Sequence, residues 1–306
     1  MGFELISLVI IVAVAYGLVC WAYRGERDRS GRVGLYLVYG IPGTLLTVAG
    51  LALTVNGQSK GPVILAFGLG LVLPLIKQFR EFVASYTPFD ATSATDMSGL
   101  CVVLSITLGY FVLSLVNNSP EAVNQSVDNS YLIVQVAAYI ALAYAAVGVG
   151  FRRTFDEATK RLGLRMPSKR TLLIAVGFVG IALVISAIAS RLTAAIQPDV
   201  SDKIQQSLQN MTSDVQNPIG AIILGLSAGI GEEIFFRGAL QPRFGIGLTS
   251  VLFAVLHTQY GFSVTSVGIL GIGIMLGYER KKYGTPAAMT THAIYNILSV
   301  LALTYT

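Results

Sequence analysis

Charged residues are scarce in this sequence of 306 residues: Asp, Glu, Lys and Arg together make up 12%, whereas hydrophobic residues make up 54%. Soluble globular proteins carry about 25% charged residues, so this composition argues against a soluble domain and indicates a membrane protein. Cysteine is also rare, and Cys20 and Cys101 both lie within apolar stretches. We interpret each as a small buried residue, which leaves no basis for a disulfide framework or a cysteine metal site.

The apolar residues are grouped into long runs, which predict an all-α, polytopic bundle of about ten transmembrane helices, within a range of eight to twelve. A helix needs about 20 residues to cross a bilayer, with a range of roughly 17–25, and the runs Pro62–Ile76 and Ile246–His257 are short for a span. The runs are Met1–Tyr23, Val33–Val55, Pro62–Ile76 (short), Ser98–Val116, Tyr131–Gly150, Thr171–Ser190, Pro218–Phe236, Ile246–His257 (short), Ser263–Tyr278 and Thr285–Leu303.

The basic residues are concentrated in alternate loops between these runs. The loops after the first, third, fifth, seventh and ninth runs contain 18 of the 21 Lys and Arg residues. Because basic residues collect in cytoplasmic loops, this pattern predicts that these loops are cytoplasmic and that both termini lie outside. The same bias accounts for the net charge of +5, so we expect no nucleic-acid partner.

Two polar segments interrupt the apolar pattern in the second half of the chain. The longest basic loop, Phe151–Arg170, is the best candidate for a boundary. The outer segment Arg191–Asn217 contains apolar residues at helical spacing, namely Ile204, Leu208, Met211 and Val215. This spacing predicts a short amphipathic helix on the outer interface, and the alternative is a solvated loop.

Two adjacent glutamates, Glu232 and Glu233, stand inside the apolar stretch "GIGEEIFFRGAL". A charge near the bilayer centre costs at least about 2.5–3.5 kcal/mol, which makes such residues functional by default. Arg237 follows Glu233 by four residues, so the two share a helical face and can pair. Glu232 points about 100° away and has no helical partner. We therefore interpret Glu233 as structural and Glu232 as available for chemistry, although all three charges could instead extend to the inner surface.

The chain has only two histidines, and both occur in apolar surroundings close to this acidic pair. His257 ends "FAVLH", and His292 lies in "THAIYN" with Asn296 one helical turn later. Together with Glu232 they fall on three successive membrane helices within about 65 residues. This grouping indicates one site rather than a set of unrelated polar residues.

These stretches resemble the motifs of a known family. "EEIFFR", "FAVLH" and "HAIYN" are similar to the EExxxR, FxxxH and HxxxN motifs of the CPBP family, which includes CAAX prenyl endopeptidases, bacteriocin-processing enzymes and Abi proteins. "RLGLRMP" also looks like the segment that opens the family domain. The resemblance covers roughly Leu164 to the C-terminus. We therefore expect accessory transmembrane helices in residues 1–163 and a protease domain in residues 164–306.

The resemblance implies an intramembrane endopeptidase. Glu232 would be the general base that activates a water, and His257 would hold the same water. His292 and Asn296 would donate hydrogen bonds to the oxyanion formed on the substrate carbonyl. The substrate would be a membrane-associated protein or peptide in the lipid bilayer, such as a CAAX-type prenylated tail or a leader or signalling peptide.

The supporting residues and the location follow from the same resemblance and from the charges. Glu233 and Arg237 would hold the end of the helix in register, and Phe253 would pack. The protein would be a multi-pass protein of the cell membrane. Because Glu232 lies close to the basic end of its helix, we expect the site to face the cytoplasmic half of the bilayer.

Three alternatives remain at this stage. Zinc could be bound by Glu232, His257 and His292, since catalytic zinc commonly has three such ligands and a water. Asn296 is a poor zinc ligand and no HExxH pair is present, so a mechanism without a cofactor is favoured. The chain could also be a proton- or cation-coupled transporter, although it shows no paired repeats of the kind many transporters have, or a non-proteolytic scaffold or immunity protein.

Overall fold

The computed structural model describes residues 2–117 and 126–305, and within these residues the fold is α-helical with no strand. Short 3-10 turns occupy Leu73–Leu75, Ser213–Val215 and Thr258–Tyr260, and a π-helical segment occupies Glu233–Leu240. The α-helices are α1 (Gly2–Gly25), α2 (Arg29–Val55), α3 (Gly61–Val72), α4 (Lys77–Ala84), α5 (Ala94–Val116), α6 (Asn129–Ala146), α7 (Phe155–Arg161), α8 (Lys169–Ile196), α9 (Pro198–Thr212), α10 (Pro218–Glu232), α11 (Gln241–Val255), α12 (Val264–Tyr283) and α13 (Thr285–Tyr305).

Seven helical segments of the described residues are long and apolar enough to cross a membrane, or eight if the bent pair α3–α4 forms one span. The predicted all-α polytopic bundle is therefore confirmed. Eight is the lower limit of the predicted range, and seven is one below it. Three of the ten predicted runs do not form separate spans. Pro218–Phe236 and Ile246–His257 lie in the one segment Pro218–Val255, the run Pro62–Ile76 ends at a bend of 87°, and α12, which contains Ser263–Tyr278, is not among the seven segments. Within the long segment, Gly245 has a φ of 75° and interrupts the helix.

The helices around the candidate residues begin at side-chain caps. Ser168 accepts a hydrogen bond from the Thr171 amide at the start of α8, and Asn217 accepts one from Gly220 at the start of α10. At α12, Ser263 and Ser266 form a reciprocal capping box. Such caps satisfy backbone N–H groups that the first helical turn leaves without partners. The starting points of three helices are therefore determined locally.

The predicted amphipathic helix is present as α9, and Val215, the fourth predicted position, lies in the 3-10 turn that follows. Ile204 is buried on it, and Leu208 and Met211 are half-buried, whereas Gln205 and Gln206 are exposed. The end of α9 is attached to the segment before α6, because the Val127 amide donates to the Met211 carbonyl at 2.8 Å. Burial of one apolar face explains why this polar stretch is helical instead of a solvated loop.

The N-terminal helices and the C-terminal helices share hydrophobic cores. One core combines Phe89, Leu100 and Val103 with residues of the π segment and α11, among them Phe236, Phe244 and Phe253. A second combines Ala143, Val147, Ala158 and Leu162 with Ile234 and Ala239. Residues before 164 therefore support the segment that carries the glutamates. The division into accessory helices 1–163 and a protease domain 164–306 stays a prediction.

Helices α10 and α13 approach each other at two glycines one turn apart. A Cβ atom at Gly225 would lie 2.7 Å from the Ala293 carbonyl oxygen, and one at Gly229 would lie 2.6 Å from the Ala293 nitrogen. Only glycine fits at such distances, and small residues four apart commonly allow membrane helices to pack backbone to backbone. This contact brings the end of α10 beside His292.

We expect Gly229→Leu to lower both stability and activity, because the added side chain must push α13 away from α10. Overpacking of this kind costs about 1–3 kcal/mol or more. The matched control is Gly180→Leu in α8, where no atom lies within 4 Å of an added Cβ. Thermal unfolding in detergent and a cleavage assay would measure the two effects. A Gly229→Leu protein as stable and active as the Gly180→Leu protein would contradict the close contact.

Candidate active site

A single cavity of about 660 Å³ is lined by all four residues predicted to act in catalysis, Glu232, His257, His292 and Asn296. They come from the end of α10, the turn after α11 and the middle of α13. The volume lies within the range of roughly 300–1,000 Å³ typical of ligand pockets. The wall combines apolar side chains with the polar groups of Tyr139, Gln259, Tyr260 and Tyr295, among others.

Glu232 is the free carboxylate of the acidic pair. It is the last residue of α10 and is half-buried. Its Oε2 atom is buried and accepts no hydrogen bond from the described residues. Buried polar atoms normally have a partner, so a carboxylate oxygen without one at the wall of a cavity is available to a ligand or a reacting proton.

Glu233 has the opposite environment. Its side chain is 0% exposed; Oε2 lies 3.4 Å from Arg237 Nε, and Oε1 lies 2.9 Å from His292 Nδ1. The pairing with Arg237 that the spacing predicted is present. The contact with His292 was not predicted, because spacing along one helix contains no information about which residue of another helix it meets.

Arg237 is enclosed by several elements. Its Nη2 donates to the Gly273 carbonyl of α12 at 3.2 Å, and its guanidinium lies 4.7 Å from the centre of the Phe253 ring. The ring of Phe253 also lies 4.5 Å from His257 and 5.9 Å from His292. Phe253 was predicted only to pack. It also places a ring against both histidines and offers a π face to the buried cation.

The π-helical segment Glu233–Leu240 was not predicted either. The amide of Gln241 donates to the Phe236 carbonyl five residues earlier, which is the spacing of a π-helix. Such segments are rare and often occur at functional sites. Here the segment carries Glu233 and Arg237 into the interior, and no residue type in "EIFFRGAL" distinguishes it from an ordinary α-helix.

The backbone determines which nitrogen of His257 carries a proton. Its Nδ1 lies 2.7 Å from the Phe253 carbonyl oxygen, and since a carbonyl only accepts, Nδ1 must donate. In the neutral ring, Nε2 then carries a lone pair. His257 can therefore accept a hydrogen bond or a proton from a group in the cavity.

His292 is oriented by a carboxylate instead. Glu233 is paired with Arg237 and acts as an acceptor, so Nδ1 of His292 donates to it. The remaining nitrogen, Nε2, can donate only if the ring carries two protons. Glu233 would then face two cations, Arg237 and the imidazolium, and the Glu232 carboxylate in the same cavity would supply the second negative charge. Asn296 follows on the next turn of α13 and lines the same cavity.

The alternative zinc site finds no ready-made ligand group. Within residues 2–117 and 126–305, no set of three or more His, Cys, Asp or Glu side chains is arranged to hold a metal ion. Glu232, His257 and His292 share the cavity, but their side chains are not grouped as such a set. As arranged, these residues do not fit a zinc site, and we derive no reaction step through a metal.

Comparison with known proteins gives one match. Residues 214–298 match the family model described as Type II CAAX prenyl endopeptidase Rce1-like, whereas no curated protein and no solved structure matches the chain. The matched segment is less than a third of the sequence, and it contains the acidic pair, Arg237, both histidines and Asn296. With its membrane-spanning helices, the chain is an integral multi-pass membrane protein. Its residues 214–298 form a domain similar to the Rce1-like type II CAAX prenyl endopeptidases, as the three motifs predicted.

Proposed function

We propose that this protein is an intramembrane endopeptidase that hydrolyses a peptide bond with a water activated by Glu232 and His257. The observation that carries this proposal is the single cavity lined by Glu232, His257, His292 and Asn296. The substrate would be a membrane-associated protein or peptide, such as a CAAX-type prenylated tail or a leader or signalling peptide. The environments of the side chains support a distinct role for each residue.

The first step is attack by water on the carbonyl carbon. Glu232 takes one proton from the water through its free Oε2, while the lone pair on Nε2 of His257 accepts a hydrogen bond from the remaining O–H and orients the oxygen. The new C–O bond forms as the carbonyl π electrons move to the carbonyl oxygen. A tetrahedral intermediate with one negative charge results.

The second step is breakage of the C–N bond. The oxyanion accepts hydrogen bonds from the Asn296 amide and from Nε2–H of a doubly protonated His292. The proton held by Glu232 passes to the leaving nitrogen as the C–N electrons move onto that nitrogen. The products are a carboxylic acid and an amine, and no oxidant, reductant or cofactor enters the balance.

The site would lie in the half of the bilayer next to the basic loops. His292 is seven residues after Thr285, so it lies about 10 Å from the basic end of α13. Because the basic loops are predicted to be cytoplasmic, this depth supports a site in the cytoplasmic half of the cell membrane.

We expect Glu232→Gln and His257→Ala to lower cleavage by at least about 10²-fold, since general acid–base groups contribute roughly 10²–10⁴ in rate. The matched control is Glu279→Gln, a buried glutamate of α12 that does not line the cavity. Comparative membrane proteomics of cells with each variant would search for an uncut precursor. Activity within a factor of two of wild type in either site variant would contradict the assignment.

The same Glu232→Gln variant separates the other two functions. A proton- or cation-coupled transporter would lose ion flux in proteoliposomes without accumulation of any precursor. A scaffold or immunity protein would keep its binding partners, and the substitution would change neither precursor cleavage nor ion flux.

The buried trio of Glu233, Arg237 and His292 predicts a separation of stability from activity. Arg237→Met should destabilise strongly, by about 3–5 kcal/mol, because it leaves a buried charge without its partner. In the double variant Glu233→Gln/Arg237→Met, both charges are gone, so thermal stability should largely recover. Cleavage should stay low, since His292 has lost its carboxylate. A double variant that recovers stability and activity together would show that Glu233 does not position His292.

Asn296 and metal dependence provide a further test. As an oxyanion donor, Asn296 should be worth about 10²–10³ in rate, with substrate binding largely kept. We expect Asn296→Ala to be impaired by this amount and wild-type activity to survive exhaustive chelation. Kinetics and elemental analysis of the purified protein would measure both. Stoichiometric zinc together with a nearly normal Asn296→Ala enzyme would overturn this mechanism and leave the protease assignment standing.

A further inference from the structure

The cavity extends in one direction along the bundle, away from the basic helix ends. Its wall is formed by the first half of α6, the second half of α8, the apolar face of α9, the first half of α12 and the second half of α13. Most basic residues lie at the other ends of these helices, and only Arg191 of α8 and Lys203 of α9 lie on the cavity side. Lys169 and Arg170 open α8, and Arg280, Lys281 and Lys282 close α12.

Buried side chains close the cavity toward the basic end. Glu233 and Arg237 are 0% exposed, and Gln241, one turn further along, is 5% exposed. Arg237 donates to the Gly273 carbonyl, and Gln241 donates to the Gly277 carbonyl at 2.9 Å. These bonds attach the π segment and the start of α11 to α12, so that a polypeptide cannot pass between them without breaking buried polar contacts.

Helix α9 lines the cavity near the opposite end. Ile204, Leu208 and Met211 line the cavity from its apolar face. Both ends of α9 are attached to neighbouring elements, because the Gln197 side chain accepts from the Val264 amide at 3.1 Å and the Met211 carbonyl accepts from the Val127 amide. The helix is therefore a defined wall of the cavity.

The length of the cavity matches a short extended peptide. From His292 to Leu303, both of which line it, α13 advances eleven residues, or about 16 Å. An extended chain advances about 3.3 Å per residue, so about five residues fit along this path. Leu224, Leu303 and Tyr131 contribute to the wall here in addition to α9, and they favour apolar substrate side chains.

We propose that the substrate is an extended, apolar peptide segment that reaches Glu232 from the α9 end of the bundle, and that Ile204, Leu208 and Met211 select its side chains. This inference rests on the proposed function for the identity of the ligand. It also treats the depth of the site and the route of access as separate properties, because the catalytic residues lie near the basic loops while the cavity extends away from them.

The direction of access is tested by cysteine labelling, which needs no substrate. Cys20 and Cys101 are first replaced by alanine, and Ser299→Cys then places a thiol in the cavity wall near Asn296. A charged, membrane-impermeant methanethiosulfonate is applied to each face of sealed vesicles in turn. Gln206→Cys, exposed on α9, and Met166→Cys, 97% exposed before α8, identify the two faces.

We expect Ser299→Cys to react from the face that labels Gln206→Cys, at least tenfold faster than from the face that labels Met166→Cys. Faster reaction from the Met166 face overturns the proposed direction. Absence of reaction from both faces overturns it too, because it would mean that the cavity is closed at the α9 end.

The selecting role of α9 is tested with a proteome-derived peptide library and mass spectrometry of the cut sites. Leu208→Trp should shift the preferred substrate residues at the α9 end of the cavity, up to about five positions from the scissile bond, toward smaller side chains. Leu208→Ala should shift them toward larger ones, and each shift should be at least threefold. Gln206→Trp, on the exposed face of the same helix, should leave the pattern unchanged. Identical patterns in all variants overturn the selecting role.

The two experiments separate the failure of this inference from the failure of the proposed function. If wild type and Glu232→Gln leave the library equally uncut, the result contradicts both the proposed function and the selecting role of α9. The labelling result then still decides from which end the cavity is reached.

Discussion

The carboxylate of Glu233 is the group on which the arrangement of the site depends. It is fully buried, and a buried charge is tolerated only when partners compensate it. Its two oxygens contact Arg237 of the π segment and His292 of α13. Arg237 in turn reaches α12 through the Gly273 carbonyl. One unexposed charge therefore determines how three neighbouring elements are positioned relative to one another.

The adjacent glutamate can have a different chemistry because it has a different environment. Glu232 and Glu233 are identical in type and consecutive in the chain. Glu232 lines a cavity, whereas Glu233 is fully buried between Arg237, with which it forms an ion pair, and His292, from which it accepts a hydrogen bond. The paired carboxylate orients an imidazole, and the unpaired one is left to exchange protons. This division of labour arises from burial and neighbours and not from residue identity.

The remainder of the chain supports this arrangement from both sides. Helix α5 and the loop before it pack Phe89 and Leu100 against the π segment and α11. Arg243, just after the π segment, donates hydrogen bonds to the Asp96 carboxylate of α5 at 2.5 Å and to the Tyr23 hydroxyl at 2.9 Å. On the other side, α9 covers the cavity with its apolar face. The helices that match no motif therefore hold the motif-bearing helices in place.

The sequence by itself determined the features that depend on order along the chain. The apolar runs predicted a polytopic helical bundle, the spacing of Ile204, Leu208 and Met211 predicted an amphipathic helix, and the three motifs located the domain that residues 214–298 match. The four-residue spacing of Glu233 and Arg237 predicted their pairing. Each of these follows from the period of a helix or from residue type.

Only the tertiary structure decided what depends on contacts between helices. The bond from His292 to Glu233, the ring of Phe253 against both histidines and the length and direction of the cavity all join residues far apart in the sequence. The π segment was also not predicted, because its residues suit an α-helix equally well. Helical periodicity predicts on which face of its helix a side chain lies. Which neighbouring helix contacts that face depends on packing, such as the close contact of Gly229 in α10 with α13.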